Sequence, residues 1–154
     1  MSECAVSTPV ENFIDQMGMI IQEEGGPPIA GRIFVLLVVE GRPLALNEMA
    51  RRLNISKASA STNARRLAAR GLLLRTSLPG DRQDYYELLP SPYPNILQAM
   101  IARISHAAAR IEEAERLIPK ENAGAKERVR LLAEFYRQSA DFMAEWSANL
   151  KLPD

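Results

Sequence analysis

The stretch SKASASTNARRLAARGLL, residues 56–73, determines how the whole chain is interpreted. Its apolar spacing predicts a helix that Ser56 caps and Gly71 ends. The first half of that helix is rich in serine, threonine and asparagine, which are mediocre helix formers because their side chains compete for backbone hydrogen bonds. A helix of this composition indicates a surface that presents small polar groups, followed by arginines, to a partner.

The two sides of this predicted helix differ in chemistry when each residue is turned by about 100° from the last. The core side holds Ala60, Ala64, Leu67 and Gly71. The outward side is small and polar at its start and cationic further on, with Ala58, Ser59, Thr62, Arg65, Arg66 and Ala69. Small side chains let a helix approach the floor of the DNA major groove, where serine, threonine and arginine reach base edges. A solvated helix face with a few arginines would look the same, so this helix alone leaves both interpretations open.

The polar residues of the helix divide into two predicted roles in DNA binding. The predicted base-reading residues are Ser59, Thr62 and Arg65, and the predicted backbone-binding residues are Ser56, Lys57 and Arg66. Backbone amides and the helix dipole favour phosphate at the N-terminus, where Ser56 and Lys57 lie. Ser61 is left out of both groups because it lies about 100° from Ala60, at the edge of the buried side.

The segment before this helix predicts three further helices. Thr8 and Glu11 have the spacing of a capping box, with a proline at the first helical position between them. A second, strongly apolar helix is predicted over residues 29–40, and Asn47 is predicted to cap a short third helix. A tight turn at residues 54–55 joins the third helix to the fourth.

The segment after the helix predicts a charged β-hairpin. LLLRTSL, residues 72–78, and DYYELL, residues 84–89, are predicted strands, and Pro79-Gly80 has the residues that a type II turn favours. Tyr85 and Tyr86 alternate, so one is expected to point inward and one outward. Helix, turn, helix and hairpin in this order are the pattern of a winged helix-turn-helix domain.

The predicted tip of this hairpin, or wing, contains two oppositely charged residues with different expected roles. Arg82 lies just past the turn, where it is expected to enter a minor groove or bind phosphate. Asp81 would repel DNA, so we expect it to orient Arg82 or to pair with Arg70 or Arg75.

Two long amphipathic helices are predicted for the rest of the chain, over residues 91–119 and 125–150. The last one places Leu132, Phe135, Ser139, Phe142 and Trp146 on one face. Together these helices have more apolar surface than the small centre can cover, so a second copy of the chain is the expected partner. We interpret the aromatic residues as a dimer or domain core. The alternative is a pocket for a small-molecule effector lined by Phe135, Phe142 and Trp146.

The formal charge is zero overall but unevenly distributed. Residues 1–40 hold six acidic residues and one basic residue, a balance of −5, whereas residues 47–83 hold eight basic and two acidic residues, a balance of +6. The centre of the chain is therefore predicted to be electropositive, which is the field that a polyanion such as DNA would meet.

The inventory of reactive side chains argues against an enzyme. The chain has one cysteine, Cys4, and one histidine, His106, and it has no glycine-rich phosphate loop, so no catalytic residue, metal site or cofactor is predicted. His106 is predicted to point away from the apolar side of its helix. No apolar run is long enough to span a bilayer, and with so little cysteine we expect a cytoplasmic protein that does not bind membranes.

The central residues resemble a known family of DNA-binding proteins. LNEMARRLNISKASASTNARRLAARGLLLRTSLPGDRQDYYEL, residues 46–88, is similar to the winged helix-turn-helix of the MarR superfamily, and more narrowly to its GbsR-type branch. The resemblance covers Phe13 to about Tyr93. The SK-x-S-x-S run from Ser56 and the GDR of the wing are the most specific parts. The resemblance implies a homodimeric bacterial transcriptional regulator, usually a repressor, on a palindromic operator. It also implies that an effector held by the aromatic residues would be a quaternary ammonium compound, bound by cation–π attraction.

These observations together predict a mainly α protein with a small two-stranded β-wing. Residues 1–28 are expected to form an N-terminal dimerisation helix, residues 29–90 the DNA-binding domain, and residues 91–154 a C-terminal dimerisation and effector region. The predicted function is sequence-specific binding of double-stranded DNA by a homodimer that regulates transcription. The alternative is a winged-helix module for protein interaction that does not bind DNA.

Overall fold

The computed structural model describes residues 8–152, which form two units that divide between Pro92 and Tyr93. Cys4 lies outside the described residues. The first unit contains helices α1 (Pro9–Glu23), α2 (Pro28–Glu40), α3 (Leu46–Arg52) and α4 (Lys57–Ala69) and strands β1 (Leu44–Ala45), β2 (Leu73–Thr76) and β3 (Tyr85–Leu88). The predicted class, mainly helical with a small antiparallel sheet, is confirmed.

Helix α1 begins as its sequence predicts. The Glu11 amide donates to the Thr8 hydroxyl at 3.2 Å, and the Thr8 amide donates to the Glu11 carboxylate at 2.8 Å, so both halves of the capping box are present. The side of α1 that packs on α2 buries Ile14 and Gly18, whereas Val10, Phe13, Met19 and Ile20 stay exposed. Helix α1 therefore leaves part of its apolar surface uncovered within one chain.

The core of the first unit surrounds α2. This helix is apolar on nearly every side, and Ile33, Leu36 and Leu37 are almost completely buried. Helix α2 ends at Gly41, whose φ of 63° is the left-handed conformation that glycine adopts most easily. Met49 of α3 and Tyr86 of β3 complete the centre of this core.

The sheet has three strands in the order β1-β3-β2. The sequence predicted β2 and β3 but not β1. Strand β1 pairs antiparallel with β3, with Leu44 opposite Tyr86 and Ala45 opposite Tyr85. Two buried residues before a helix carry no periodicity, so this strand could not be recognised from the chain alone.

Strand β1 also explains why the predicted cap of α3 is wrong. Helix α3 begins at Leu46, its capping position is Ala45, and Asn47 lies inside the first turn. The Leu46 amide donates to the Asp84 carbonyl at 3.0 Å. Because the sheet satisfies this first amide, the helix begins without a side-chain cap.

The second unit is a helical hairpin of α5 (Tyr93–Leu117), a 3₁₀ turn (Lys120–Asn122) and α6 (Ala123–Asn149). Gln98 bonds to Ser147 near one end of the pair, and Glu112 pairs with Arg137 further along, so the two helices are antiparallel. Helix α5 begins two residues later than predicted and α6 two residues earlier. Within residues 8–152, no helix is long and apolar enough to cross a membrane.

Candidate nucleic-acid interface

The turn between α3 and α4 is tight and is held by backbone hydrogen bonds. The Asn54 amide donates to the Arg51 carbonyl at 3.2 Å, and the Ile55 amide donates to the Ala50 carbonyl at 3.0 Å. Asn54 has φ of 51°, a left-handed conformation that asparagine tolerates better than most residues. The predicted turn at residues 54–55 is therefore confirmed, and it joins α3 to α4.

Helix α4 has the two faces that its sequence predicts. Ser56 caps the helix by accepting the Ser59 amide at 3.0 Å. On the inner face, Ala60 and Ala64 are 0% exposed and Leu67 is buried beside them. The small alanines therefore let α4 lie directly on the core.

A buried polar residue on α4 was missed by sequence reasoning. Asn63 is buried, and its amide nitrogen donates to the Ser59 carbonyl one turn earlier at 2.9 Å. This bond satisfies the side chain locally, as buried polar groups require. Its position between Ala60 and Ala64 is the only signal in the sequence, and helical periodicity would assign it to the edge of the buried face.

The predicted DNA-binding residues of α4 lie on the outward face, with one partial exception. Ser56, Lys57, Thr62, Arg65 and Arg66 are exposed, whereas Ser59 is half-buried. The Arg65 guanidinium lies along the helix, with Nε 3.4 Å from the Ser61 carbonyl oxygen. Ser61 is half-buried, in agreement with its exclusion from the two groups.

The wing closes in the predicted turn. The Asp81 amide donates to the Leu78 carbonyl at 3.1 Å, and Gly80 has the positive φ of 80° that the third position of a type II turn requires. Arg82 is exposed just beyond the turn. Tyr86 is buried and Tyr85 is half-buried, so the expected alternation of the two tyrosines is confirmed.

Asp81 does not pair with Arg70 or Arg75, which was one of its two expected roles. Arg75 pairs with Asp84, at 2.6 Å between Nη2 and Oδ1, and Asp81 is held by neutral donors instead. The Tyr85 hydroxyl donates to Asp81 at 2.7 Å, and the Gln83 amide donates to it at 2.9 Å. The hydrogen bond from Tyr85 lowers the pKa of Asp81, and the same bond raises the pKa of Tyr85. In the β2–β3 pair Arg75 lies opposite Tyr86, two residues from Asp84 along the chain.

A side-chain bond ties the wing to the start of α3. The Asn47 side-chain amide donates to the Gln83 side-chain carbonyl at 3.2 Å. Lys57 and Arg82 both line a shallow cleft beside this bond, together with Leu46 and Asp84. The structure thus brings together a predicted backbone-binding residue of α4 and the predicted cation of the wing.

Not all of the eight basic residues in the electropositive segment present free charge. Arg52 pairs with Glu40 and Arg75 pairs with Asp84. Among the residues that the structure describes, no carboxylate forms an ion pair with the other six, all of them exposed: Arg51, Lys57, Arg65, Arg66, Arg70 and Arg82. Four of these six lie on α4 or at its C-terminal cap, so the positive field is centred on this helix.

The three aromatic residues of the predicted effector pocket lie on the surface of α6. Phe135, Phe142 and Trp146 fall within about 40° of one another around the helix, and each is exposed. The side of α6 that packs on α5 is formed by small residues instead, with Ala133 and Ala140 buried. Within one chain these aromatics therefore form an open apolar face.

Other residues singled out in the sequence belong to other elements of the chain. His106 is exposed on α5, as predicted. Over residues 8–152, no three histidine, cysteine or acidic side chains come close enough together to hold a metal ion.

Comparison with known proteins connects this geometry to a family. Residues 27–84 match the sequence model of the MarR family. The HTH-type transcriptional regulator MmpR5 of Mycobacterium tuberculosis (strain ATCC 25618 / H37Rv) is 33% identical over 85 residues, which cover 54% of this chain and 52% of that relative. The matched part thus spans about half the length of this curated relative.

A solved structure agrees over nearly the whole chain. A crystal structure described as that of a transcriptional regulator is similar with a TM-score of 0.76 and 22% identity, covering 92% of this chain and 97% of that one. At this identity the similarity concerns the fold. MmpR5 and the protein of this crystal structure are both described as transcriptional regulators. The winged helix of residues 27–84 is thus similar to that of the MarR family.

Proposed function

We propose that this protein is a homodimeric transcriptional regulator that binds a palindromic operator and represses transcription. The observation that carries the proposal is the exposed face of α4, where cations without carboxylate partners follow small polar residues on a MarR-family winged helix. In this arrangement α4 is the recognition helix in the major groove and the wing contacts the flanking backbone or minor groove. The SK-x-S-x-S run from Ser56 supports placing the chain in the GbsR-type branch.

The roles proposed for individual residues follow their positions. Thr62 and Arg65 are exposed in the middle of α4, where side chains reach base edges. Lys57 and Arg82 flank one cleft at the start of α4, where a phosphate of the DNA backbone would be held between two cations. Ser59 is half-buried, so its contribution to base reading is expected to be smaller than that of Thr62.

The proposed dimer is supported by uncovered apolar surface on both units. In the first unit, Phe13, Met19 and Ile20 of α1 are exposed, and in the second, Phe135 and Phe142 of α6 are exposed. Large exposed apolar side chains on consecutive helical turns are unusual for a monomer and typical of an interface. Two-fold symmetry would place the two recognition helices on half-sites separated by about one or two helical turns of DNA.

The proposed effector site depends on the same dimer. Phe135, Phe142 and Trp146 form an open face in one chain, so a pocket at these residues would have to be completed by the second copy. An aromatic-lined pocket of this kind suits a cation such as a quaternary ammonium compound. Such an effector would act by favouring one separation of the two recognition helices over another.

The alternative function, a protein-interaction module, has a different structural requirement. It would need an apolar outward face on α4, and the exposed residues there include Thr62, Arg65 and Arg66. This polar and cationic face favours DNA over a protein partner.

A binding selection followed by a salt series tests the proposal. The full-length protein is mixed with a random duplex library, bound sequences are recovered, and the affinity for the best sequence is measured at about 50 mM and about 200 mM salt. We expect a palindromic sequence and a steep loss of affinity with salt, because counterions are released as phosphates are neutralised. Recovery of no preferred sequence together with salt-insensitive binding would contradict the proposal and favour the interaction module.

A further inference from the structure

One arginine connects three elements of the first unit. Arg32 lies on α2, its Nε donates to a carboxylate oxygen of Asp15 on α1 at 3.0 Å, and its Nη2 donates to the Leu53 carbonyl at 3.0 Å. Leu53 is the capping residue at the end of α3 and directly precedes the tight turn of the helix-turn-helix. A single guanidinium thus links the N-terminal helix α1 to the turn that precedes α4.

The chemistry of both contacts suits a guanidinium. The Leu53 carbonyl lies at the C-terminus of α3, where carbonyl groups lack helical partners and carry partial negative charge. A charged donor bonds to such a carbonyl more strongly than a neutral one does. The Arg32 side chain is only 25% exposed, whereas that of Asp15 is 61% exposed, so the bond at the turn is the better shielded of the two.

The packing of α1 on α2 is shaped around this side chain. A Cβ atom at Gly18 of α1 would lie 2.7 Å from Cγ of Arg32 and 3.3 Å from the Pro28 carbonyl oxygen. Gly18 is buried, so its missing side chain is the space through which the stem of Arg32 passes. The route of Arg32 from α2 to the turn therefore depends on a glycine in the neighbouring helix.

We propose that Arg32 is a positioning residue that fixes the helix-turn-helix to α1 and thereby sets the separation of the two recognition helices in the dimer. The proposal rests on the proposed function, because a link to α1 fixes the position of the helix-turn-helix within the dimer only if α1 belongs to the dimer interface. Arg32 itself lies away from the outward face of α4 and contacts no DNA in this arrangement. Its substitution should alter tolerance of half-site spacing more than affinity for one half-site.

The first experiment compares operators that differ only in spacing. From the selected operator, versions are made with one base pair added or removed between half-sites, and the ratio of the two dissociation constants gives the spacing discrimination. The variants are Arg32→Met, which keeps an unbranched stem without the guanidinium donors, and Asp15→Ala, which removes a largely exposed partner and should not unfold the chain. We expect discrimination to fall about threefold or more in both, as for other substitutions that change coupling between sites.

A matched pair of glycine substitutions separates the role of Arg32 from general helix packing. Gly18→Ala places a methyl group 2.7 Å from Cγ of Arg32, and Gly31→Ala places one 2.7 Å from Cγ1 of Ile21, so both disturb the α1–α2 contact to a similar degree. The first contact is with the stem of Arg32, and the second is with the side chain of Ile21 on α1. We expect Gly18→Ala to lower spacing discrimination and Gly31→Ala to leave it near the wild-type value, whatever either does to Tm. Equal loss in both would overturn the proposal.

A second measurement needs no DNA. Amide hydrogen exchange of Ile55, whose N–H bonds to the Ala50 carbonyl across the turn, should accelerate in Arg32→Met and not in Gly31→Ala. Unchanged exchange of Ile55 in Arg32→Met overturns the proposal whether or not DNA is bound. If the wild-type protein selects no operator, both the proposed function and the positioning role fall. If it selects one and the folded variants keep full spacing discrimination, only the positioning role falls.

Discussion

At the scale of single residues, Arg65 and Lys57 are exposed on the same helix but are expected to have different roles, in base reading and in backbone binding respectively. Arg65→Ala should relax specificity for one base position by about 1–3 kcal/mol, because a bidentate contact to a base edge is lost. Lys57→Ala should weaken binding to all sequences alike and reduce the salt slope by about 1, because a phosphate contact is lost. Titrations of the selected operator, a single-base variant and random duplex measure both effects.

The control for this pair is Arg103→Ala, which removes an exposed arginine from the second unit. It should leave both specificity and the salt slope unchanged. An equal loss of specificity in Arg65→Ala and Lys57→Ala would show that the two residues are not divided into base-reading and backbone-binding roles.

The second prediction at this scale concerns Asp81 and Tyr85. The Tyr85 hydroxyl lowers the pKa of Asp81, so Tyr85→Phe should return that pKa toward the ordinary value of an aspartate. Because the pKa is lowered in the folded state, the bond adds stability above the unfolded pKa of Asp81, and this is lost as pH falls through the folded pKa. NMR titration of the Asp81 carboxyl carbon measures the change.

The same bond makes the opposite contribution at high pH. The pKa of Tyr85 is raised in the folded state, so the stabilisation by this bond is present at pH values below about 10, the pKa of an unfolded tyrosine. It is lost as pH rises through the folded pKa. Tyr93→Phe is the control, because it removes an exposed tyrosine hydroxyl from another unit. If the pKa of Asp81 is the same in wild type and Tyr85→Phe, the bond does not exist in solution.

At the scale of elements, the residue at the start of α4 is both a helix cap and a proposed contact to DNA, and a single substitution would not separate these two roles. Ser56 caps the helix by accepting the Ser59 amide at 3.0 Å, and it is also a proposed contact to DNA. Ser56→Ala should lower the free energy of unfolding by about 1 kcal/mol, the usual cost of losing such a cap. Ser56→Asn should keep the stability, because asparagine caps helices as well as serine does.

Denaturant unfolding of the two variants gives the stability, and DNA titration gives the contact. We expect Ser56→Asn to unfold like the wild type, so any loss of DNA affinity in that variant reports the contact to DNA alone. Equal destabilisation by alanine and asparagine would mean that the cap contributes nothing to α4.

The elements also show why sequence predicts some features and not others. The faces of α4 follow from a period of 3.6 residues, and the structure buries Ala60 and Ala64 as that period requires. The predicted cap of α3 was wrong because the start of this helix depends on β1, which is too short to be recognised in the sequence. The expected pairing of Asp81 with Arg70 or Arg75 was wrong because the side-chain partners within the hairpin depend on the folded arrangement. Local periodicity can be recognised from the sequence alone, whereas pairing between distant segments depends on the folded arrangement.

The candidate site was predictable to a similar degree. The sequence placed Lys57 and Arg65 on the outward face of α4, and the structure agrees. It could not show that Arg52 and Arg75 are paired with acidic residues, because their partners Glu40 and Asp84 are chosen by tertiary contacts. Counting charges along the chain therefore overestimated the free positive charge of the site.

At the scale of the whole molecule, the location of charge matters more than its total. Asp84→Asn should release Arg75 from its ion pair and add one positive charge to the wing. We expect tighter binding to random duplex and a salt slope steeper by up to about 0.9, the value for one further phosphate. Asp141→Asn changes the net charge equally on α6 and should have no effect. A similar gain in both variants would mean that net charge, and not the field at α4, governs binding.

The final prediction concerns the open apolar face of α6. Phe142 is 71% exposed, and within one chain α5 packs on the opposite side of the helix, so Phe142→Glu should leave the fold intact. In the proposed dimer this carboxylate would be buried without a partner, which costs at least about 2 kcal/mol, or a rise of about 30-fold in the dimer dissociation constant. Sedimentation over a concentration series measures the constant. Ala148→Glu, an exposed position about 120° away around α6, is the control and should remain a dimer. Retention of a wild-type dimer by folded Phe142→Glu would exclude this face of α6 from the interface, and with it a shared aromatic pocket.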